Sequence, residues 1–326
     1  MVFVIKPVWT VLFAAVLAAA QLEAAEETKK LPTVGLAIPV DPATDALFQE
    51  AVREGLRDLG YVDGKNVILI VRYSNGDSGK LRENIRELVA LKVDVLMGDA
   101  PLLKEATTTI PIVSPTMSDP VRTGLVASLA RPGGNITGLS SQRYDIDPKL
   151  LELTKELQPN LRRLCVLVDE SREQNLMNYA NNEFRALARN VGVSVCLIPV
   201  RTLDNIRAVP GIIARERPQA ALLWASAFVY QYRNKLIGPV AHRLPVTGEG
   251  RELAEAGAVL SYSVEWLDVF RRSGAYIGKI LNGAKPADLP IEQPTKFKLV
   301  VNLKAAKALN IKVPESILLR ADEIIR

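Results

Sequence analysis

Strand-length apolar runs alternate with amphipathic helical segments along nearly the whole chain, and this alternation most constrains its fold. In the segment from about Ala43 to Leu59, apolar residues recur on one helical face, and Gly60 ends the pattern. Near-continuous apolar strands joined by such helices are typical of parallel sheets that are covered on both faces. The first series contains five predicted strands, at Val34–Val40, Asn66–Tyr73, Val93–Gly98, Pro111–Met117 and Ile136–Leu139.

The alternation of strands and helices then begins again and predicts a second series of strands. Its five predicted strands are Leu164–Val168, Val193–Val200, Ala220–Ala225, Pro245–Thr247 and Ala258–Tyr262. A long helical segment, Val264–Leu281, follows, and its position predicts a return to the first lobe. The sequence therefore predicts an α/β fold of two doubly wound, Rossmann-like parallel-sheet lobes with a cleft between them. Lobe 1 is predicted to contain residues 31–142 plus about 265–290, and lobe 2 residues 143–264 plus about 291–326.

The N-terminal segment has the pattern of an export signal. Val8–Ala20 has no charged residue, and Lys6 precedes it. This run is too short to cross about 30 Å of hydrocarbon and fits the core of a signal peptide. We expect residues 1–24 to be a cleavable signal peptide and the mature protein to be periplasmic; an uncleaved membrane anchor is the alternative. The absence of a cysteine near the predicted cleavage region excludes a lipoprotein.

The charge pattern argues against a nucleic-acid partner. The formal charge of +5 is a small difference between 41 basic and 36 acidic residues that are interspersed along the chain. The longest basic clusters are pairs such as Arg162-Arg163. Binding to a phosphate backbone needs a concentrated basic stripe, which this sequence lacks.

Cys165 and Cys196 both lie inside apolar runs that are typical of neighbouring buried strands. Export would permit a disulfide between them. Side chains on adjacent parallel strands rarely meet the geometry that a disulfide requires, however. The sequence therefore favours two buried thiols.

The predicted ligand site lies where the strands end. In open α/β sheets, ligands bind outside the carboxyl ends of the strands, so two lobes whose carboxyl ends face each other form a cleft. Helix N-termini there can bind a carboxylate, and an isolated acidic side chain can hold an amine. For an Asp or Ser that precedes a helix, the alternative role is an N-cap. The candidate contacts are Asp41, Asp99, Ala100, Met117, Ser118, Asp119, Glu170, Ser226, Glu249 and Tyr262.

Catalytic and metal-binding patterns are absent from the sequence. The single histidine, His242, excludes a site with several histidine ligands, and the two cysteines do not replace them. There is no Gly-x-Ser-x-Gly nucleophile motif and no phosphate-binding P-loop. The sequence predicts neither an enzyme nor a bound cofactor.

Several long stretches resemble one known family. They are FQEAVREGLRDLGYVDGKNV (48–67), ELVALKVDVLMG (87–98), TIPIVSPTMSDPVRTGLVASLARPGGNITGLS (109–140), LLELTKELQPNLRRLCVLVD (150–169) and the segment 278–325. Together they are similar to the solute-binding components of ABC importers that are related to tryptophan-binding proteins. The resemblance implies a type I periplasmic-binding-protein fold that closes around a small ligand. It also implies a monomer that meets an ABC permease in the cytoplasmic membrane; a ligand-sensing co-receptor of the same fold is the alternative function.

One loop departs from the pattern of this family. Relatives carry a small, hydroxyl-rich loop after the third strand, whereas this chain has Asp99 within Gly98-Asp99-Ala100-Pro101. We therefore do not carry over tryptophan, and we expect an amino acid or a related carboxylate or amine. Related amino-acid binders suggest that Glu249 receives the ligand's ammonium group. Tyr262 is expected either to stack on the ligand or to belong to the core, and Asp119 either to contact ligand or to cap a helix.

Overall fold

The computed structural model describes residues 30–169 and 174–326. The predicted signal peptide, residues 1–24, and the predicted contact Glu170 lie outside the described residues. Among the helices of the described ranges, none has both the length and the apolar character needed to cross a bilayer.

Five parallel strands form the sheet of the first lobe. Their spatial order is β2-β1-β3-β4-β5, a doubly wound arrangement in which the chain crosses back after β2. The strands are β1 (Thr33–Ile38), β2 (Ile68–Tyr73), β3 (Val95–Met97), β4 (Ile112–Met117) and β5 (Ile136–Ser140). The central strands are buried on both faces, as their continuous apolar runs predicted.

The sheet of the second lobe has seven strands in the order β12-β11-β10-β9-β8-β6-β7. They are β6 (Arg163–Asp169), β7 (Ser194–Val200), β8 (Ala220–Leu223), β9 (Val246–Gly248), β10 (Leu260–Val264), β11 (Phe297–Asn302) and β12 (Glu323–Ile325). All ten predicted strands are present, with ends within two residues of the prediction. The expected total of five in this lobe is wrong, because β11 pairs antiparallel with β10 and β12 extends the edge.

Helices cover both faces of each sheet. They are α1 (Pro42–Arg57), α2 (Ser78–Ala90), α3 (Ala100–Ala106), α4 (Arg143–Leu157), α5 (Gln174–Tyr179), α6 (Arg185–Asn190), α7 (Leu203–Glu216), α8 (Ala227–Ile237), α9 (Arg251–Glu255), α10 (Trp266–Leu281), α11 (Leu303–Ala308) and α12 (Glu315–Arg320). A π-helical turn, Ala180–Phe184, joins α5 to α6, and a 3₁₀ turn, Pro286–Asp288, follows α10.

Helix α10 packs directly against α1, beside the first sheet. A Cβ at Gly274 would lie 2.1 Å from the carbonyl oxygen of Val52, and one at Gly55 would lie 1.8 Å from that of Arg271. Two glycines thus allow the helix backbones to touch. Ile277 of α10 then joins the core cluster of the first lobe.

The close approach of α10 and α1 predicts that Gly274→Ala lowers the free energy of unfolding by about 1–3 kcal/mol, because an added methyl overpacks the contact. Gly211→Ala is the matched control, since Gly211 lies in α7 with nothing within 4 Å of the added Cβ. The control should gain about 0.5–1 kcal/mol from its higher helix propensity. Urea unfolding checks both; equal effects in the two variants would contradict the packing argument.

Cys165 and Cys196 form a disulfide, so the prediction of two buried thiols is wrong. The two residues lie directly opposite each other in the β6–β7 register. Their Cα atoms are 4.5 Å apart, within the range that a disulfide spans. The sequence placed these cysteines on neighbouring strands but gave no information on register, and register decides whether the bond forms.

Candidate functional site

Two neighbouring cavities lie between the carboxyl-terminal edges of the sheets. The larger, cavity A, has a volume of about 250 Å³, and the smaller, cavity B, about 150 Å³. Both are lined by the loops after β1, β3 and β4 of the first lobe and the loop after β8 of the second. The shared lining residues are Pro39, Asp99, Thr116, Ser118, Arg143, Ala225, Ser226 and Ala227. The cavities therefore form two chambers of one cleft between the lobes.

Five of the predicted contacts line this cleft. Asp99, Ser118 and Ser226 line both chambers, and Ala100 and Met117 line cavity A. Asp99 also caps α3, where its Oδ1 accepts a hydrogen bond from the Leu102 amide at 3.3 Å. Ser226 caps α8 in the same way, with its Oγ 3.1 Å from the Val229 amide nitrogen. The capping role and the position at the cleft thus coincide in these two residues.

Asp41 connects the lobes and does not line either cavity. Its Oδ1 accepts from the Thr44 amide at 2.8 Å, and this bond is the main cause that holds the pKa of Asp41 below its usual range. Its own amide donates to Oε1 of Gln231 in α8 at 2.7 Å, while Nε2 of Gln231 donates back to its Oδ2. This Asp41–Gln231 pair joins the start of α1 to the second lobe.

Asp119 also lies outside the lining of both cavities. Its Oδ1 accepts from the Arg122 amide at 3.0 Å, which caps the turn after β4. Of the two roles expected for Asp119, the structure therefore displays the capping role.

Glu249 lies behind the cleft wall, contrary to the expectation that it meets the ligand. It is 1 % exposed, and its Oε1 accepts from Nη1 of Arg143 at 2.9 Å and from the Ala225 amide at 3.1 Å. The carboxylate already has a charged partner, and Arg143 stands between it and the cavities. We therefore no longer expect Glu249 to bind the ammonium group of the ligand.

Tyr262 belongs to the packing of the second lobe. Its ring stacks on that of Phe297, with centroids 5.7 Å apart, where β10 pairs with β11. It lines neither cavity, so the core alternative describes it and stacking on a cleft ligand does not.

Arg143 lines the cleft although sequence reasoning did not select it. It opens α4, lines both cavities and is only 7 % exposed. Its Nη2 donates to the Ala225 carbonyl oxygen at 2.5 Å, and its Nη1 to Glu249. Nothing in the local sequence distinguishes it from a surface arginine, because its burial depends on the approach of the β8 and β9 loops.

Arg143 lies between two buried carboxylates. Asp147, one turn later in α4, is fully buried with its Oδ1 4.0 Å from Nη1 of Arg143. Burial raises the pKa of Asp147 well above its usual value, although the Arg143 charge opposes this, and Glu249 adds a second negative charge nearby. Arg143 thus lies at the cleft wall with acidic side chains on both sides.

The two chambers differ in character. Cavity A has a mixed lining, in which Ser74, Asp77 and the ion pair of Arg82 with Glu105 lie beside apolar side chains such as Leu81. Cavity B is walled by four aromatic side chains and contains one acidic residue of α1, Asp45. The aromatic residues are Phe48, Tyr230, Trp266 and Phe270. The cleft therefore offers a chamber of mixed character and an aromatic one side by side.

Comparison with known proteins places this architecture in a family. The family model of ABC transporter substrate binding protein matches residues 33–325. A tyrosine-binding protein of Clostridioides difficile (strain R20291) is 23% identical over 303 residues, which cover 88% of this chain and 83% of the relative. An ABC domain from Streptococcus pneumonia solved in complex with L-Trp is 26% identical, with a TM-score of 0.82 over 91% of this chain and 100% of that chain.

A conserved domain protein from Vibrio cholerae is equally similar. It shares 26% identity and a TM-score of 0.82, covering 90% of this chain and 100% of its own. These matches confirm the resemblance and the two-lobed type I periplasmic-binding-protein fold that the sequence predicted. The chain belongs to the family of ABC transporter substrate-binding proteins.

Proposed function

We propose that this protein captures an amino acid, or a related carboxylate or amine, outside the cytoplasmic membrane and presents it to an ABC permease. The observation that carries the proposal is the cleft between the two sheets, which both lobes line and which holds the buried cation Arg143. Ligand sites in open α/β folds occupy this edge.

Aromatic amino acids are the first ligands to test. Two of the similar proteins are named for tyrosine binding or contain L-Trp. The aromatic walls of cavity B would bury the flat ring of such a ligand. Aromatic rings prefer offset or edge-to-face contacts with one another, and these walls could provide them. The donors of Arg143 and the N-terminus of α8 would serve a carboxylate.

Closure of the lobes is the mechanism that we propose for capture. The contacts that join the lobes include the Asp41–Gln231 pair, the ion pair of Arg122 with Glu183, and the bond from the Tyr232 hydroxyl to the Asn75 carbonyl. A ligand that touches both lobes adds to these contacts only when the cleft is closed. It therefore shifts the population toward the closed form in proportion to its preference for that form.

The experiment that tests this function is a ligand screen on protein purified from the periplasm of expressing cells. Thermal-shift and calorimetric titrations would cover aromatic and polar amino acids and small carboxylates, and small-angle scattering would follow closure. We expect at least one ligand to raise the melting temperature and reduce the radius of gyration. Failure of the whole panel to do either would refute the proposal. Loss of uptake of the identified ligand in cells lacking the gene would then support import over sensing.

Gln231→Ala should weaken ligand binding by about 5- to 150-fold, although Gln231 does not line the cleft, because the closed form loses two hydrogen bonds worth about 0.5–1.5 kcal/mol each. The control is Asn234→Ala, which truncates an exposed residue of the same helix. Calorimetry gives the affinity, and scattering of the ligand-free protein should show a larger radius of gyration for Gln231→Ala only. Equal affinities for the two variants would show that the pair does not hold the lobes together.

A further inference from the structure

Cavity B contains a carboxylate whose burial its protein neighbours offset only in part. Asp45 lies in the first turn of α1, lines cavity B and is 3 % exposed. Its Oδ2 is buried and has no hydrogen-bond partner among residues 30–169 and 174–326. An acidic residue in the first turn of a helix is usually solvent-exposed and interacts with the helix dipole. The position of Asp45 inside a ligand-sized chamber therefore needs another explanation.

The polar groups around Asp45 are engaged with one another. On α1, Nε2 of Gln49 donates to the hydroxyl of Tyr73, which ends β2, at 2.5 Å. The cation that acts on Asp45 from within α1 is Arg53, whose Nε is 3.6 Å from Oδ2 of Asp63. Helix α10 contributes Phe270 and Trp266 to the chamber, and Arg143 faces it from the second lobe.

Burial raises the pKa of Asp45 to about 6, although Gln49, Tyr73 and Arg53 each lower it by a smaller amount. At neutral pH the side chain is therefore mostly ionised. A buried, ionised carboxylate destabilises a protein when its partners offset only part of its desolvation. A cationic group entering cavity B would remove this penalty, and the gain would appear as binding affinity.

The walls of cavity B suit the rest of such a ligand. The rings of Phe48 and Phe270 lie 4.8 Å apart, and Trp266 and Tyr230 complete the chamber. Aromatic faces attract a cation and pack well against an apolar or aromatic body. Asp45 and these rings together select for a positive charge next to an aromatic body.

We propose that Asp45 binds the ammonium group of an aromatic amine or amino acid in cavity B, with the ring of the ligand against Phe48 and Phe270. This inference rests on the proposed capture function and identifies the chemical group that the cleft selects. It assigns to Asp45, in the first lobe, the role that the sequence suggested for Glu249 in the second.

Pairs of ligands that differ only in the amine test the inference. L-tryptophan, L-tyrosine and L-phenylalanine would be titrated calorimetrically beside indolepropionate, hydroxyphenylpropionate and phenylpropionate, with tryptamine as an amine without a carboxylate. We expect the wild-type protein to bind the amine-bearing members at least about 10-fold more tightly. Asp45→Asn should remove most of that difference by weakening the amines while leaving the deaminated acids unchanged. Glu54→Gln, which removes an exposed charge from the same helix, should retain the discrimination.

The pH dependence provides a readout that a purely structural role would not change. Amine affinity should fall as the pH drops below about 6, where Asp45 takes up a proton, and Asp45→Asn should lose this dependence. The stability of the fold depends on pH in the opposite direction. Because the pKa of Asp45 is higher in the folded than in the unfolded protein, proton binding by Asp45 stabilises the folded state at low pH, and this stabilisation is lost as the pH rises from about 4 through about 6. Asp45→Asn should therefore be at least as stable as the wild type at neutral pH, which shows that it folds.

The outcomes separate the two proposals. Wild-type amine affinity and an unchanged pH profile in Asp45→Asn would overturn the inference and leave capture intact. Tight binding of the deaminated acids with no preference for amines would do the same. If none of these aromatic probes binds the wild-type protein, the inference fails, and the proposed function is then decided by the polar amino acids and small carboxylates of the screen.

Discussion

Replacing Arg143 with alanine is expected to lower the free energy of unfolding by about 3–5 kcal/mol and to abolish ligand binding. The guanidinium is buried between Glu249 and Asp147, and it lines both chambers of the cleft. Its removal leaves Glu249 as an uncompensated buried charge. Urea unfolding measures the first effect, and calorimetry with the ligand identified by screening measures the second.

A double variant separates stability from binding. Arg143→Met together with Glu249→Gln removes both charges, and replacement of a buried ion pair by apolar or neutral groups is often neutral for stability. We expect the double variant to regain most of the lost stability while its affinity stays at least about 10- to 100-fold below that of the wild type. Full recovery of affinity in the double variant would show that Arg143 acts only as a structural counter-ion. Wild-type stability of Arg143→Met alone would contradict the buried pair itself.

Loss of the Cys165–Cys196 disulfide should cost about 3–4 kcal/mol, the second largest effect expected. The bond closes a loop across a sequence separation of 31, and chain-entropy arguments give this magnitude for a loop of that size. Neither cysteine lines the cleft, so ligand affinity measured under folding conditions should not change.

Urea unfolding of the oxidised protein, the reduced protein and the Cys165→Ala/Cys196→Ala variant checks the disulfide prediction. The reduced protein and the double variant should have similar stabilities, and reductant should have no effect on the variant. Alkylation of the denatured, unreduced protein should add no label. Two labelled thiols in that experiment would restore the interpretation of free cysteines that the sequence favoured.

The sequence predicted the fold well because its main signal is local. Most of the ten predicted strands are near-continuous apolar runs, and parallel sheets covered by helices need such runs. Strands β11 and β12 were not predicted. The first residues of β11, Phe297–Asn302, are only partly buried, and β12, Glu323–Ile325, is a short, half-buried edge strand. Their place in the sheet depends on long-range pairing, of β11 with β10 and of β12 with β11, which a local pattern does not contain.

The site was only partly predictable, for a related reason. The rule that ligands lie beyond the carboxyl ends of strands located Asp99, Ser118 and Ser226 at the cleft. It failed for Tyr262, whose side chain points to a neighbouring strand, and for Glu249, which a partner from another element covers. Arg143 and Asp45 were missed because an arginine or aspartate in the first turn of a helix normally faces water. The loops after β8 and β9 of its own lobe bury Arg143, and packing against β2 and α10 contributes to the burial of Asp45.

The most direct measurement for this account is a crystal structure with the tightest ligand from the screen. The account predicts that the ligand lies between the ends of β3, β4 and β8, that groups from both lobes touch it, and that Arg143 and Ser226 are among them. A ligand that is bound outside this cleft, or that contacts residues of only one lobe, would contradict the account.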